Sequence, residues 1–231
     1  MTENAYIVGI PGSLAADSAT RTATRYVLQH ADRRDVDTTL LDLREYDLPV
    51  YGADRRPPHR SESPGGVRSP ARDERSDPST LRATVAAADA VVLGSPMYHG
   101  SVSSPLKAAL DHCTREEFDD TPVGLLAVAG GRFPRPLLTH LREIALALGA
   151  RPLASEVAIS RSGSTVEDGR VVDTEVRDRL DALADELVRY IGCGEVTDRE
   201  YKLEEETDSS SESGETAVGS DHVDGPTTPS R

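Results

Sequence analysis

The chain has 231 residues, with 40 acidic side chains against 26 basic ones and a formal charge of −14. Apolar residues make up 37%, and the 18 glycines raise the small-or-apolar share to about 45%, too high for a wholly disordered chain and enough for a packed core. The longest small or apolar run, Val123 to Gly131, is nine residues, against the roughly 20 a membrane-spanning helix needs, so no membrane partner is expected. Tyr6-Ile7-Val8 reads as a strand with no charged-then-apolar leader before it, which predicts a cytoplasmic protein. Cys113 and Cys193 are the only cysteines and no CxxC occurs, which argues against a disulfide framework, a zinc site or an iron–sulfur cluster. The negative balance argues against nucleic acid, whose phosphates attract cations. Only Lys107 and Lys202 are lysines among the 26 basic residues. An acidic, lysine-poor surface predicts a halophilic protein, soluble where salt shortens the Debye length to about 3 Å at 1 M.

In chain order, Tyr6–Ile10 predicts a first strand, and an Ala/Thr/Arg-rich stretch from about Ser18 to Arg33 a helix. Val36–Leu43 alternates and ends at Leu48-Pro49, as expected of a second strand nearer the sheet edge. From Gly52 to Thr80 run 29 residues with five prolines, six arginines and five acids, and Val67 is the only bulky aliphatic among them. So little apolar surface predicts a mobile surface insertion. Ala90–Gly94 predicts a short strand, Ser104–Thr114 a helix, Val123–Ala129 a buried strand, and Arg135 to Leu148 a helix stopped by Gly149. Pro152–Ile159 predicts a fifth strand and Thr174–Ile191 a last helix ending at Gly192. From Cys193 to Arg231, eleven acids and three bases with a Ser/Thr/Gly/Pro-rich end predict an acidic disordered tail. Residues 1–192 are therefore expected to form one domain carrying the 52–80 insertion, and 193–231 the tail.

Strands alternating with helices mean βαβ units wound into a parallel sheet covered on both faces. The expected fold class is α/β, a flavodoxin-like three-layer sandwich whose five-stranded parallel sheet has the order 2-1-3-4-5. Connections diverge there at the carboxyl ends of strands one and three, which places a ligand crevice among the loops after Ile10, Gly94 and Ala129.

The first of these loops turns at Pro11-Gly12 and offers Ser18 as the N-cap of the following helix. The freed amides and the positive dipole end favour an anion by about 0.3–1 kcal/mol, and Ser13, Ser18 and Thr20 add hydroxyls. The loop is neither GxGxxG nor GxxxxGK[ST], which disfavours a dinucleotide pyrophosphate and nucleotide hydrolysis. It suits a terminal phosphate held by neutral donors, or an ordinary helix cap with no ligand. Gly94-Ser95-Pro96-Met97-Tyr98-His99-Gly100-Ser101 leaves the third strand, with Pro96 and Gly100 constraining the backbone and Tyr98 and His99 bringing planar side chains. Ser104 is expected to cap the next helix, with Pro105 at its first position. Gly130 and Gly131 present bare amides after the fourth strand, suited to the carbonyl edge of a heteroaromatic ring. For Tyr98 the alternative is packing against its own loop, and for His99 an exposed turn.

Gly12-Ser13-Leu14-x-x-x-Ser18-x-Thr20, then Ser95-Pro96-Met97-Tyr98-His99-Gly100-Ser101 with Leu106-Lys107-x-Ala109-Leu110-Asp111, then Gly130-Gly131 before a helix ending Leu148-Gly149-Ala150, resembles the NADPH-dependent FMN reductases, which are flavodoxin-like flavoenzymes. The resemblance covers roughly Tyr6 to Ile159 without the insertion. It implies FMN bound non-covalently, with its phosphate held by Ser13, Ser18 and Thr20 and its ring against Pro96, Met97, Tyr98, His99, Gly130 and Gly131. It also implies a homodimer or homotetramer, often with active sites near subunit contacts. Ala15 stands where the family usually has Arg, Thr20 where it has Asn, and Met97 and His99 where it has Glu and Asn; Arg21 is a nearby replacement cation.

The expected activity is transfer of hydride from NADPH or NADH to bound FMN and on to a flavin, quinone or similar small acceptor. The flavin carries that chemistry, so no side chain is assigned as catalytic, and no metal is expected. The alternative is a flavodoxin-type electron carrier without NAD(P)H activity, and a third is a flavin-free ligand-binding domain.

Overall fold

The computed structural model describes residues 4–52, 78–131 and 133–208, with side chains as far as Ile191. The insertion between 53 and 77, whose mobility the sequence predicts, lies outside the described residues, as does the tail beyond 208.

Strand β1 (Tyr6–Pro11) is buried from Ile7 onward. Helix α1 (Ala19–Asp32) starts at the predicted cap: Ser18 is extended, at φ −89° and ψ 113°, and its hydroxyl accepts the Arg21 amide at 3.1 Å. Strand β2 (Asp37–Leu40) is shorter than its alternating pattern, because Asp42 caps a 3-10 turn at Leu43–Glu45 by accepting the Arg44 amide. Helix α2 (Pro78–Ala86), for which no helix was predicted, begins inside the stretch assigned to the insertion and buries Leu81 and Val85. Strand β3 (Ala90–Pro96) runs two residues further than expected.

The single helix predicted over 104–114 is two. Helix α3 (Ser104–Asp111) is followed by α4 (Arg115–Phe118), which carries its own capping box between Thr114 and Glu117. Strand β4 (Pro122–Val128) is buried at all seven positions. After α5 (Arg135–Ala147) and β5 (Arg151–Ile159) come a short α6 (Ser162–Thr165) and an antiparallel pair, β6 (Val166–Glu167) with β7 (Arg170–Val171), all too short to show a periodicity.

The last helix, α7 (Thr174–Asp208), does not stop at Gly192. An interior glycine costs a helix only about 1 kcal/mol relative to alanine, too little to end a segment rich in Glu, Leu and Arg. By contacts the chain divides into Met1–Cys193 and Gly194–Arg231, and the second unit is helical as far as Asp208.

The sheet has the order β2-β1-β3-β4-β5 and every pairing is parallel. Near-continuous apolar runs in β3 and β4 are what a sheet covered on both faces requires. On one face Ala23, Val27 and Leu28 of α1 and Val176, Leu180, Leu183 and Leu187 of α7 pack on Ile7, Val92, Leu126 and Val157. On the other, α2, α3, α4 and α5 supply Leu81, Leu106, Phe118 and Leu141 against Val8, Leu93 and Leu125. His30 of α1 sits between Asp181 and Asp185 of α7, at 2.8 and 3.0 Å. The β4–β5 register shifts between Val123 and Leu125, and the buried Glu186 carboxylate of α7 accepts the freed amides of Ala154 and Ser155. No helix among the described residues is long and apolar enough to cross a membrane.

Candidate functional site

The loop after β1 is stapled down before it turns. The Gly12 amide donates to the Gly94 carbonyl at 2.7 Å, and the Gly12 carbonyl accepts the Ser103 hydroxyl at 2.7 Å. The Ser103 amide donates to the Ser95 hydroxyl at 3.0 Å, which in turn donates to the Pro96 carbonyl at 2.9 Å. Ser95 and Ser103 are fully buried. Only glycine fits at position 12, because a Cβ there would lie 2.5 Å from the Ser103 hydroxyl and 2.6 Å from the Leu106 Cβ. Ser103, not the predicted Ser104, is the N-cap of α3, and it makes no capping bond because its hydroxyl goes to Gly12.

From there the chain runs over Ser13 to Ser18 into α1. Ser13, Ser18 and Thr20 are buried, and the Ser13 hydroxyl accepts the Ala15 amide at 3.4 Å. The amides of Ala16, Asp17, Ala19 and Thr20 have no acceptor among the described residues, so the loop presents donors to the crevice, as a phosphate requires.

Arg21 does not reach out to replace the cation missing at Ala15. Its guanidinium curls back onto the carbonyls of Ala15, at 3.0 Å, and Ala16. Burial, then the neighbouring Arg44, pulls its pKa down, but a guanidinium stays charged. Beside it the Arg44 guanidinium pairs with Asp42 at 2.5 Å and holds that carboxyl below the usual range. Arg21 therefore shapes the loop and adds positive potential without being a free donor.

After β3, the Met97 amide donates to the Val128 carbonyl at 2.7 Å, carrying the pairing past the strand end. Tyr98 and Ser101 exchange backbone bonds of 3.2 and 3.0 Å around His99 and Gly100, at φ 51° and 79°. Two successive left-handed residues make this a tight type I′ turn. Tyr98 is 57% exposed, so its ring is not packed into its own loop, whereas His99 is an exposed turn residue, as its alternative reading expects. The Ser101 hydroxyl lies 3.2 Å from Nδ1 of His140 on α5, joining this turn to the helix that follows β4.

The turn after β4 is zipped to the end of β5. The Ala129 amide donates to the Ile159 carbonyl at 2.8 Å, the Ser162 amide to Ala129 at 3.1 Å, and the Arg161 amide to Gly131 at 2.9 Å. Two of the turn's carbonyls are thereby engaged, while the Gly130 and Gly131 amides have no acceptor among the described residues. Both glycines face open space. No local pattern marks Arg161 or Ser162 as supports of this turn, because the pairing spans some thirty residues; only the strand order, which sets β5 beside β4, points to that loop.

Register brings the three turns together. Pro11 pairs with Gly94 and Pro96 with Val128, so the loops leave three consecutive strands at one sheet edge. Two strand spacings of about 4.8 Å put them within roughly 10 Å of one another across the sheet. A cleft of about 510 Å³ lies on the α1 side, between the start of that helix (Ser18, Arg21, Arg25) and the segment from Ser162 to Gly169; of the predicted site residues only Ser18 lines it, and neither Pro96–His99 nor Gly130–Gly131 does. The candidate site is instead the row of three turns, whose phosphate-type donors after β1 and unpaired amides after β4 fit a flat, phosphorylated ring system such as FMN.

A doubly wound α/β sheet with an anion loop at its switch point and open amides two strands away defines a flavodoxin-like protein. A family model for NADPH-dependent FMN reductase matches residues 5–164, and the chain belongs to that family. It is 30% identical over 185 residues to an FMN-dependent NADPH-azoreductase of Staphylococcus saprophyticus, covering 79% of this chain and 93% of that one. An FMN-dependent NADPH-azoreductase of Staphylococcus aureus is 31% identical over 186 residues, with the same coverage. Among solved structures, FerB of Paracoccus denitrificans, described as a flavoenzyme NAD(P)H:(acceptor) oxidoreductase, superposes with a TM-score of 0.64 at 22% identity over 81% of this chain and 97% of that one. The chain is thus an oxidoreductase of the FMN reductase family, with FMN as cofactor and NADPH as electron donor.

Proposed function

We propose that the three turns hold FMN and that the protein passes electrons from NADPH, or NADH, to a small aromatic acceptor such as an azo compound, a quinone or a second flavin. Ser13, Ser18 and Thr20, with the open amides of α1, hold the phosphate. Pro96, Met97, Tyr98 and His99 line the ring, and the Gly130 and Gly131 amides donate to its carbonyl edge, favouring negative charge there. Bound in this place, FMN supplies hydride acceptance and onward electron delivery. The protein's part is to bind, orient and polarise, so no side chain acts as a general acid or base. The observation that supports the assignment best is the convergence of three turns at adjacent strand ends, the outer two of which carry unpaired donors.

Leu14 (52% exposed), Tyr98 and Phe133 (76% exposed) project from loops at this edge. Exposed apolar side chains gathered at one site mark an interaction surface, which favours a homodimer, or a homotetramer built from it, that covers the crevice. Residues 1–192 form the FMN-binding domain, with 52–80 as its insertion and 193–231 as an acidic extension. The acidity suits a cytoplasmic protein in concentrated salt.

The test is direct. The purified protein should be yellow, or become so with added FMN, and anaerobic NADPH should bleach it. Bleaching by neither NADPH nor NADH supports the electron carrier instead, and failure to bind FMN at all overturns the assignment. Light scattering across a concentration series reads the oligomer.

A further inference from the structure

Among the described residues, five other than glycine have a positive φ: Asp35, His99, Asp120, Arg161 and Asp168. Aspartate and histidine are enriched in the left-handed region; arginine is not, and Arg161 sits there at φ 50°. Its backbone is held in place. The amide donates to the Gly131 carbonyl at 2.9 Å, and its own carbonyl accepts the Ser164 amide at 2.9 Å and the Ser164 hydroxyl at 3.1 Å. The side chain is exposed, and no hydrogen bond or ion pair engages its guanidinium among the described residues. Glycine would take this backbone with less strain, so what arginine adds is its side chain.

Arg161 is therefore a cation with a fixed root, one hydrogen bond from the open Gly130–Gly131 turn. Arg21 and Arg44 are engaged, with the Ala15 and Ala16 carbonyls and with Asp42; Arg25 is exposed on α1 and lines the cleft beside the phosphate loop, whereas Arg161 is bonded to the Gly130–Gly131 turn itself. In a chain of formal charge −14, a polyanionic donor approaches against the net field unless a local cation receives it. A position open to solvent suits a ligand that comes and goes, whereas the resident phosphate belongs at α1. A guanidinium fork matches phosphate oxygens in pairs. The 2′-phosphate of NADPH is a monoester with close to two charges, against one on each phosphate of the bridge, so a single exposed arginine gains most there.

We propose that Arg161 receives the 2′-phosphate of the nicotinamide donor and sets the preference for NADPH over NADH. The inference depends on the FMN reductase function proposed above.

Arg161→Gly is the variant to test, because glycine relaxes the left-handed backbone and leaves the fold intact or more stable. With FMN bound, titration with NADP⁺ and NAD⁺ and steady-state kinetics with NADPH and NADH are compared at low salt. The expected result is about tenfold weaker NADP⁺ binding and an about tenfold higher KM for NADPH, with kcat unchanged. NAD⁺ and NADH should change by less than about twofold. Arg161→Lys, which keeps the charge without the fork, should recover part of the loss. Equal losses for both dinucleotides, or no loss for either, overturn the assignment. Unmutated protein that does not bind FMN overturns the function itself, and that result is seen before any dinucleotide is added.

Discussion

The crevice has a packed side and an open side, and glycine serves opposite purposes on the two. Where β1 meets β3, Gly12 lies against Ser103 and Leu106 with no room for a Cβ, and the buried Ser95 and Ser103 hydroxyls bridge the strands. Where β4 meets β5, Gly130 and Gly131 face open space and their amides await an acceptor. The contrast separates two requirements of a binding site. A rigid footing must hold its own polar groups satisfied, while the ligand's face must leave donors unsatisfied until the ligand arrives.

The largest expected effect comes from adding one methyl group on the packed side. Gly12→Ala sets a Cβ against Ser103 and Leu106, and overpacking of this kind costs roughly 1–3 kcal/mol. A lower denaturant midpoint and weaker FMN binding are expected together. Gly130→Ala on the open side should stay within about 0.5 kcal/mol in stability, and any effect should fall on FMN affinity alone. Equal destabilisation by the two substitutions would break the comparison. Ser103→Ala removes the donor to Gly12 without adding bulk and leaves a buried carbonyl unpaired, at about 1–3 kcal/mol. Thermal melts with and without FMN separate the two contributions.

Next in size is Ser18→Ala, between the two sides. The hydroxyl accepts the Arg21 amide, and loss of such a cap costs about 1 kcal/mol. If Ser18 also holds the phosphate as proposed, FMN affinity should fall by more than the melting temperature of FMN-free protein suggests. Thr20→Val keeps the shape, lacks the cap role, and should reduce FMN affinity with little change in the melt.

The open side was the more legible in sequence. Gly130-Gly131 and Tyr98-His99-Gly100 announce themselves because glycine and turn residues are local signals, and the buried runs of β3 and β4 announce the parallel sheet. The packed side was not legible. Ser103 reaches Gly12 across 91 positions, and in sequence it looks like one more serine before a proline, so the local pattern points to Ser104 as the cap. The loop after β5 was missed for a similar reason: Arg161 and Ser162 act on the Ala129–Gly131 turn through backbone bonds that any residue except proline can make. Helix α2 was lost to the composition of the residues before it, since only Leu81 and Val85 of its nine residues are buried. Arg21 was legible as a cation but not as a loop brace, because its target carbonyls carry no side-chain signal.

The smallest effect near neutrality is a property of the packed face beneath α3. Burial pushes the Cys113 thiol up to about 12, with Glu117 adding to the rise and Arg82 opposing it. Below the ordinary value of 9.0 both folded and unfolded chains keep this proton, so it gives no pH dependence. Between 9.0 and about 12 only the unfolded chain releases it, so stability falls as pH rises, by up to about 1.4 kcal/mol per unit. In a Cys193→Ser background, a thiol reagent at pH 8 should therefore label the folded protein only as fast as this region opens. Cys113→Ala should flatten the alkaline slope. If FMN slows labelling of Cys113, ligand held on the open side tightens the packed one, and the two halves of the crevice act as one unit; if the rate is unchanged, the footing is already complete without its ligand.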